Sequence, residues 1–233
     1  MYEEIKERVC EANKRLYQEG IVILTWGNVS EVDKNNSVMI IKPSGVNYDK
    51  MLPNDMVVVD LLTEKVIDGK YRPSTDAPTH LKLYKEFKDI KSIVHTHSTY
   101  AVAFAQAGIN IPILGTTHAD YFYGDILCTR ELTEKEIQTD YELNTANVII
   151  ETIKKAHYDI IANQGILVKN HGVFTWGENA EKAVENAIVL EEISKMTYLS
   201  LQLNDNAHIN QYIVDKHYER KHGKNAYYGQ NIR

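Results

Sequence analysis

The sequence predicts one α/β domain in which helices layer a mixed sheet. Three observations carry this: short apolar runs alternate with segments of helical period, no linker or low-complexity tract divides the chain, and 233 residues suit a single domain spanning 1–233. Ile5, Val9, Ala12 and Leu16 recur at helical spacing ahead of Gly20, which predicts a helix over residues 3–18 with a left-handed stop. Apolar runs at 21–24, 38–41 and 56–61 read as strands, separated by turn-rich stretches at 33–37 and 43–45. Asp76 and Pro78 mark an acidic cap and a first-turn proline for a helix carrying Leu81, Tyr84 and Phe87.

Residues 92–97 form the next expected strand, and Ser98 caps a small-residue helix that reaches Gly108. Thr133 with Glu136 makes a capping box; helical patterns then run to Ala156, and a strand follows at 166–168. Asn179 opens the longest helix, through Ala183, Ala187, Leu190, Ile193 and Met196. Residues 212–222 read as a charged last helix that stops at Gly223.

Hydrophobic residues are 43% and charged residues 25% of the chain, a mix that folds around a core rather than staying disordered. Lys and Arg number 26 against 32 Asp and Glu, the net charge is −6, and no basic stripe appears, so a nucleic-acid partner is not expected. The apolar runs fall far short of the roughly 18–20 residues that cross a bilayer. Glu3, Glu4, Lys6, Glu7, Arg8 and Glu11 break up any signal-peptide core. The expectation is a cytoplasmic protein without a membrane partner. Cys10 and Cys128 form no CxxC and read as free, non-catalytic thiols.

The chemistry-bearing residues cluster at the ends of expected strands. His95 and His97 stand two apart in a strand, which points both imidazoles to one side, and His171 follows another strand and precedes Gly172. Three histidines leave a position open for substrate or water, the usual form of a catalytic zinc site, and Asp76 is a plausible fourth ligand. Taken alone, an HxH pair binds metal less often than not. For His80, His118, His157 and His208, ordinary hydrogen bonding is the better reading.

Lys42-Pro43-Ser44-Gly45 follows a strand and Pro73-Ser74-Thr75-Asp76 precedes a helix, so both offer hydroxyls and unpaired amides of the kind that hold anions. Gly27-Asn28 can add a polar side chain to the same pocket. Each alone is as well read as an ordinary turn; together they favour a phosphate site. No P-loop or GxGxxG is present, so a nucleotide is not indicated. The run from Thr116 to Gly124 crowds titratable and aromatic groups, and its residues alone favour an Asp120 cap in a packing patch over a proton carrier. Tyr, His and Gly in the tail, at 217–223 and 226–229, suggest a segment docked on something.

Thr25-Trp26-Gly27-Asn28-Val29-Ser30, Ile41-Lys42-Pro43-Ser44-Gly45-Val46, Pro73-Ser74-Thr75-Asp76, Ile93-Val94-His95-Thr96-His97-Ser98, Asn170-His171-Gly172, the Gly115 to Gly124 loop and the tail from Lys216 to Gly229 together resemble the L-ribulose-5-phosphate 4-epimerases of the class II aldolase family. The resemblance runs nearly end to end, and the loop and tail are what separate the epimerases from their aldolase relatives. It implies a class II aldolase-like fold with a mainly antiparallel sheet, and a zinc site of His95, His97 and His171 with Asp76 close by. Cobalt or manganese can substitute for the zinc. It implies a sugar-phosphate pocket of Gly27, Asn28, Lys42, Ser44, Gly45, Ser74 and Thr75. It also makes Asp120 and Tyr228 the proton carriers on opposite faces of the substrate. Tyr228 and His217 would come from the neighbouring subunit of a homotetramer, through a C-terminal segment at about 209–233. Thr75 departs from the pattern, standing where many relatives carry a second serine; the hydroxyl is kept and a methyl added.

The implied reaction explains these residue types. In L-ribulose 5-phosphate the C4 proton is not acidified by the C2 ketone, so deprotonation cannot invert C4. Breaking C3–C4 instead leaves an enediolate beside glycolaldehyde phosphate, charge that a divalent cation stabilises. Re-forming the bond on the other aldehyde face gives D-xylulose 5-phosphate, a step used in both arabinose and ascorbate breakdown. Alternatives are a class II ketose-phosphate aldolase, an inactive aldolase-like interaction module and, last, a zinc hydrolase.

Overall fold

A computed structural model describes residues 2–224, 226 and 227. Helix α1 (Glu3–Gln18) forms where expected, with Gly20 in the left-handed conformation. The Gly20 and Ile21 amides return to the carbonyls of Tyr17 and Leu16, closing the last turn. The chain then reaches β1 (Asn28–Asp33), β2 (Val38–Ile41), β3 (Val57–Asp60) and β4 (Val66–Asp68), followed by α2 (Ala77–Glu86) and β5 (Ser92–Thr96). Helices α3 (Thr99–Ala107), α4 (Thr116–Ala119), α5 (Glu134–Gln138) and α6 (Tyr141–Lys155) precede β6 (Gly165–Val168) and β7 (Gly172–Gly177). The long α7 (Ala180–Leu203) and α8 (Gln211–His222) complete the described elements.

The seven strands form one sheet in the order β4-β3-β2-β1-β5-β7-β6, and every strand pair is antiparallel. The helix-layered, mainly antiparallel sheet expected from sequence is thus present, and the one parallel contact among the described residues, between Cys128 and Leu167, is an isolated bridge rather than a strand pair. The expected strand at 21–24 is also absent. Leu24 takes a positive φ of 56°, and Ile21 and Val22 are buried beside α1 instead.

Apolar residues alternate between the two faces because the strand period is two. Met39, Ile41, Val57, Val59 and Ile93 pack with Leu81 and Tyr84 of α2 and Ile149 and Ile153 of α6. Val38, Ile40, Val58 and Val94 pack with Val9 and Leu16 of α1 and Ala183 and Ala187 of α7. A third cluster joins Phe104 of α3, Leu190 and Ile193 of α7, and Leu167 and Val173 of the sheet. With both faces covered, β2, β3 and β6 read as continuous apolar runs rather than alternating ones. Among the described residues no helix is long and apolar enough to cross a membrane.

Candidate metal centre and active site

His95 sits in the middle of a row that crosses three strands, opposite Asn28 on β1 and Phe174 on β7. Its ring stacks on Phe174 with centroids 4.3 Å apart, and its Nδ1 lies 3.0 Å from the Val173 carbonyl. A proton on Nδ1 satisfies that carbonyl and leaves the Nε2 lone pair facing outward, the usual arrangement of a ligating histidine. His97, just past the end of β5, brings its Nε2 to 3.0 Å from His95 Nε2. His171 comes from the β6–β7 turn, its ring centroid 4.8 Å from His95 and 5.2 Å from His97.

One ligand atom from each of the three rings falls within 4.8 Å of the others. Partial burial, and then the His95 ring, push His97 down to about 4. Burial with the His95 and His97 rings pushes His171 down to about 3. The His97 and His171 rings are therefore neutral at physiological pH, the form that offers a lone pair to a cation. The buried Nδ1 of His171 has no hydrogen-bond partner among the described residues. Nitrogen donors converging in this way fit a divalent metal such as zinc.

Gly172 is required by this crowding. A Cβ there would stand 2.7 Å from the Thr96 carbonyl oxygen and 2.9 Å from His95 Cε1. At Gly27, φ is +84° and a Cβ would meet the His95 carbonyl oxygen at 2.7 Å, so conformation and space both exclude a side chain.

Asp76 occupies the N-cap position of α2, yet its carboxylate makes no cap. It turns instead to the Asn28 amide, which donates to Oδ2 at 2.7 Å. The same amide donates to Ser74 Oγ at 3.0 Å. Burial pushes Asp76 up, but His95, His80, His171 and the Asn28 amide outweigh it and hold the carboxyl below its ordinary range.

The two anion-type turns are knitted together. Ser44 N donates to the Arg72 carbonyl at 3.0 Å and Ser74 N to the Lys42 carbonyl at 2.9 Å, flanking a bridge between Pro43 and Pro73. One cavity of about 490 Å³ is consequently lined by Gly27, Asn28, Lys42, Ser44, Gly45, Ser74, Thr75, Asp76 and the three histidines. Lys42 is 2% exposed, with its ammonium 4.8 Å from the centre of the Tyr48 ring. Burial pushes it down to about 8, against the pull of Asp76.

Four further residues line the cavity that motif reading did not assign: Thr25, Trp26, Tyr141 and Glu142. Thr25 and Trp26 adjoin Gly27-Asn28, the one signal that could have found them. Tyr141 and Glu142 begin α6 and reach the cavity through tertiary packing, tied to α2 by the Thr79 hydroxyl, which donates to the Glu142 carbonyl at 2.6 Å.

Asp120 and His217 lie outside the cavity lining. Asp120 ends α4, where Arg220 donates to both carboxylate oxygens, at 3.1 and 2.7 Å, and His217 Nδ1 of the same chain lies 3.0 Å away. Burial pushes this carboxyl up, but the Arg220 and His217 contacts outweigh it, so it stands below the ordinary carboxylate range and is ionised at neutral pH. Tyr228 falls outside the described residues.

A sequence model of the Class II Aldolase and Adducin N-terminal domain matches residues 7–198. Among solved structures, an L-fuculose 1-phosphate aldolase superposes with a TM-score of 0.78 at 22% identity, covering 93% of this chain and 95% of that one. An L-fuculose 1-phosphate aldolase from Glaciozyma antarctica PI12 gives 0.76 at 21% identity, over 93% and 81%. A sugar-phosphate aldolase from Thermotoga maritima gives 0.68 at 18% identity, over 87% and 97%. With most of its length covered by the domain and the same architecture throughout, this chain belongs to the class II aldolase and adducin N-terminal domain family.

Proposed function

We propose that the protein interconverts L-ribulose 5-phosphate and D-xylulose 5-phosphate by breaking and re-forming the C3–C4 bond. The observation that carries this reading is the single cavity that joins a three-imidazole centre to two hydroxyl-bearing turns and a buried lysine. His95, His97 and His171, with Asp76 beside them, would hold zinc; cobalt and manganese are substitutes. Such an ion supplies Lewis acidity for the charge that bond cleavage leaves on the ketose oxygens.

The remaining work belongs to the chain's own groups. Ser44, Gly45, Ser74, Thr75 and Lys42, with Gly27 and Asn28, bind the phosphate and keep the aldehyde fragment in place while its carbonyl end turns over. Removing the proton from the C4 hydroxyl lets the C3–C4 electrons pass to C3 and into the C2 carbonyl. Returning a proton to the C4 oxygen after re-addition on the opposite face completes inversion. Asp120, held as a carboxylate, suits the base, and Tyr228, as a phenol, suits the donor. The unit of α4 and α8, with the segment at about 209–233, brings Asp120, His217 and Tyr228 to a neighbouring subunit's cavity in a homotetramer.

Supporting this over a ketose-phosphate aldolase is the pairing of Asp120 with α8, which binds one proton carrier to the segment that leads to the other. A coupled assay with L-ribulose 5-phosphate, run with and without a chelator, tests the proposal. D-Xylulose 5-phosphate should form in a chelator-sensitive way without accumulation of glycolaldehyde phosphate. Free glycolaldehyde phosphate as the main product would make the protein an aldolase. Tyr228→Phe should lower turnover at least ~100-fold, the scale of a lost proton-transfer group.

A further inference from the structure

The β1–β2 ladder opens at the edge of the anion pocket, and a side chain from α1 fills the opening. Ser30 stands opposite Ile41, so the next pair along the register is Val29 with Lys42. A hydrogen-bonded antiparallel pair exchanges two bonds, each residue giving its N–H to the other's carbonyl. Here one of them is long, Lys42 N donating to the Val29 carbonyl at 3.4 Å. The other is replaced. Val29 N donates to Asn13 Oδ1 at 2.9 Å, and the Lys42 carbonyl accepts from Ser74 N at 2.9 Å.

Asn13 is fitted to this place. It follows Val9 by four and precedes Leu16 by three, on the apolar face of α1, and is 0% exposed. An amide buried there costs free energy unless its bonds are made. Its Nδ2 donates to the Val9 carbonyl at 2.7 Å and to the Val29 carbonyl at 3.3 Å. The side chain therefore meets Val29 as a neighbouring strand would, accepting from its N–H and donating to its carbonyl. The bond from Val29 N also fixes which end of the amide is the oxygen, since only an oxygen accepts.

The replacement decides where the chain goes after β2. Released from Val29, the Lys42 carbonyl turns to the segment ahead of α2, where Pro43 bridges to Pro73 and Ser44 N donates to the Arg72 carbonyl. The two prolines have no N–H, so the link between the turns rests on the Ser44 and Ser74 amides. Those two bonds bring both serines to one cavity, which Asn13 itself does not line.

We infer that Asn13 is a positioning residue for the anion pocket: by taking the Val29 N–H, it frees the Lys42 carbonyl to hold the Ser74 turn against the Ser44 turn. This rests on the phosphate reading of those turns, but neither on the sugar that carries the phosphate nor on the metal.

Asn13→Leu tests it, removing both hydrogen-bonding ends at similar volume. Val29 N should then turn to the Lys42 carbonyl, closing the ladder by one pair and leaving Ser74 N without its acceptor. Affinity of the intact protein for inorganic phosphate, measured by calorimetry, should fall ~10-fold, about the worth of one hydrogen bond. Zinc affinity, measured by dye competition, should stay within ~3-fold, because β5 and the β6–β7 turn carry the imidazoles and β2 does not. Hydrogen exchange at the Ser74 amide should quicken while that at Val29 stays slow. Unchanged phosphate affinity or unchanged exchange at Ser74 overturns the inference. Equal losses of phosphate and zinc affinity overturn it too, since they would make Asn13 a general brace. Should the variant fail to fold, wild-type exchange decides: a Ser74 amide protected alongside Val29 supports the inference, and one exchanging as freely as an open loop overturns it. A wild-type chain that binds no phosphate would instead refute the phosphate reading, and this role with it.

Discussion

Asn28 stands directly opposite His95 on the β1–β5 ladder, and its side-chain amide reaches sideways to Asp76 Oδ2 at 2.7 Å. One residue therefore links the imidazole cluster, the acidic group at the start of α2 and, through Ser74 Oγ, the wall of the anion pocket. The sheet register sets the relative position of the two halves of the site, which is why perturbing backbone contacts around His95 should be felt as ligand chemistry.

Gly172→Ala is the sharpest such perturbation. Its Cβ would sit 2.7 Å from the Thr96 carbonyl oxygen and 2.9 Å from the His95 ring. Overpacking of this kind costs about 1–3 kcal/mol, and here the movable atoms belong to the imidazole. Zinc affinity should fall about tenfold or more, measured by dye competition alongside a thermal melt. A variant that melts lower but binds zinc as tightly as wild type would show that the backbone, not His95, absorbs the strain.

Lys42 gives the anion pocket a pH dependence. Its ammonium is pushed down to about 8 by burial, so it loses its charge across the alkaline range, where an exposed lysine would keep it. Affinity for inorganic phosphate should weaken by up to about tenfold per pH unit above that value, the limit for one linked proton. Dividing the wild-type profile by that of Lys42→Met removes the titration of phosphate itself. Parallel profiles would exclude Lys42 from binding. For folding the sign is opposite. Between about 8 and the ordinary lysine value near ~10.4, the unfolded chain binds the extra proton, so this group adds stability as pH rises through that window and loses it as pH falls.

Asp120→Asn should act twice. The carboxylate anchors α8 through Arg220 and His217, and its removal should cost about 1–3 kcal/mol, the scale of a charged hydrogen bond. Because the folded pKa is depressed, this contribution is present above the unfolded value near ~3.9 and disappears as pH falls through the folded one. Denaturation of wild type and variant at pH 7 and at low pH checks this: the difference should shrink in acid. Turnover should fall at least ~100-fold. Near-normal turnover would remove Asp120 from the chemistry and leave it an anchor.

The parts of the site legible in the sequence are those set by local spacing. His95 and His97 converge because residues two apart along an extended chain share a face, whereas Ser44 and Ser74, each legible as a turn hydroxyl, are brought together by the long-range bridge between Pro43 and Pro73. What tertiary packing builds is not legible: Tyr141 and Glu142 enter the cavity only because α6 lies along α2. Residues 28–33 hide their strand, since Asn28, Ser30 and Glu31 are buried with partners and break the apolar pattern. The run at 21–24 errs the other way, being apolar because it packs beside α1, not because it pairs. Asp76 looks like a helix cap in sequence, and the Asn28 amide outcompetes the helix for it.

The most direct test of C3–C4 cleavage is epimerisation of L-ribulose 5-phosphate in deuterium oxide, followed by NMR at C4. Carbon–carbon scission never breaks the C4–H bond, so the D-xylulose 5-phosphate formed should carry protium at C4 throughout the approach to equilibrium. Solvent deuterium appearing at C4 in step with product would contradict the account, because it would mean inversion by deprotonation.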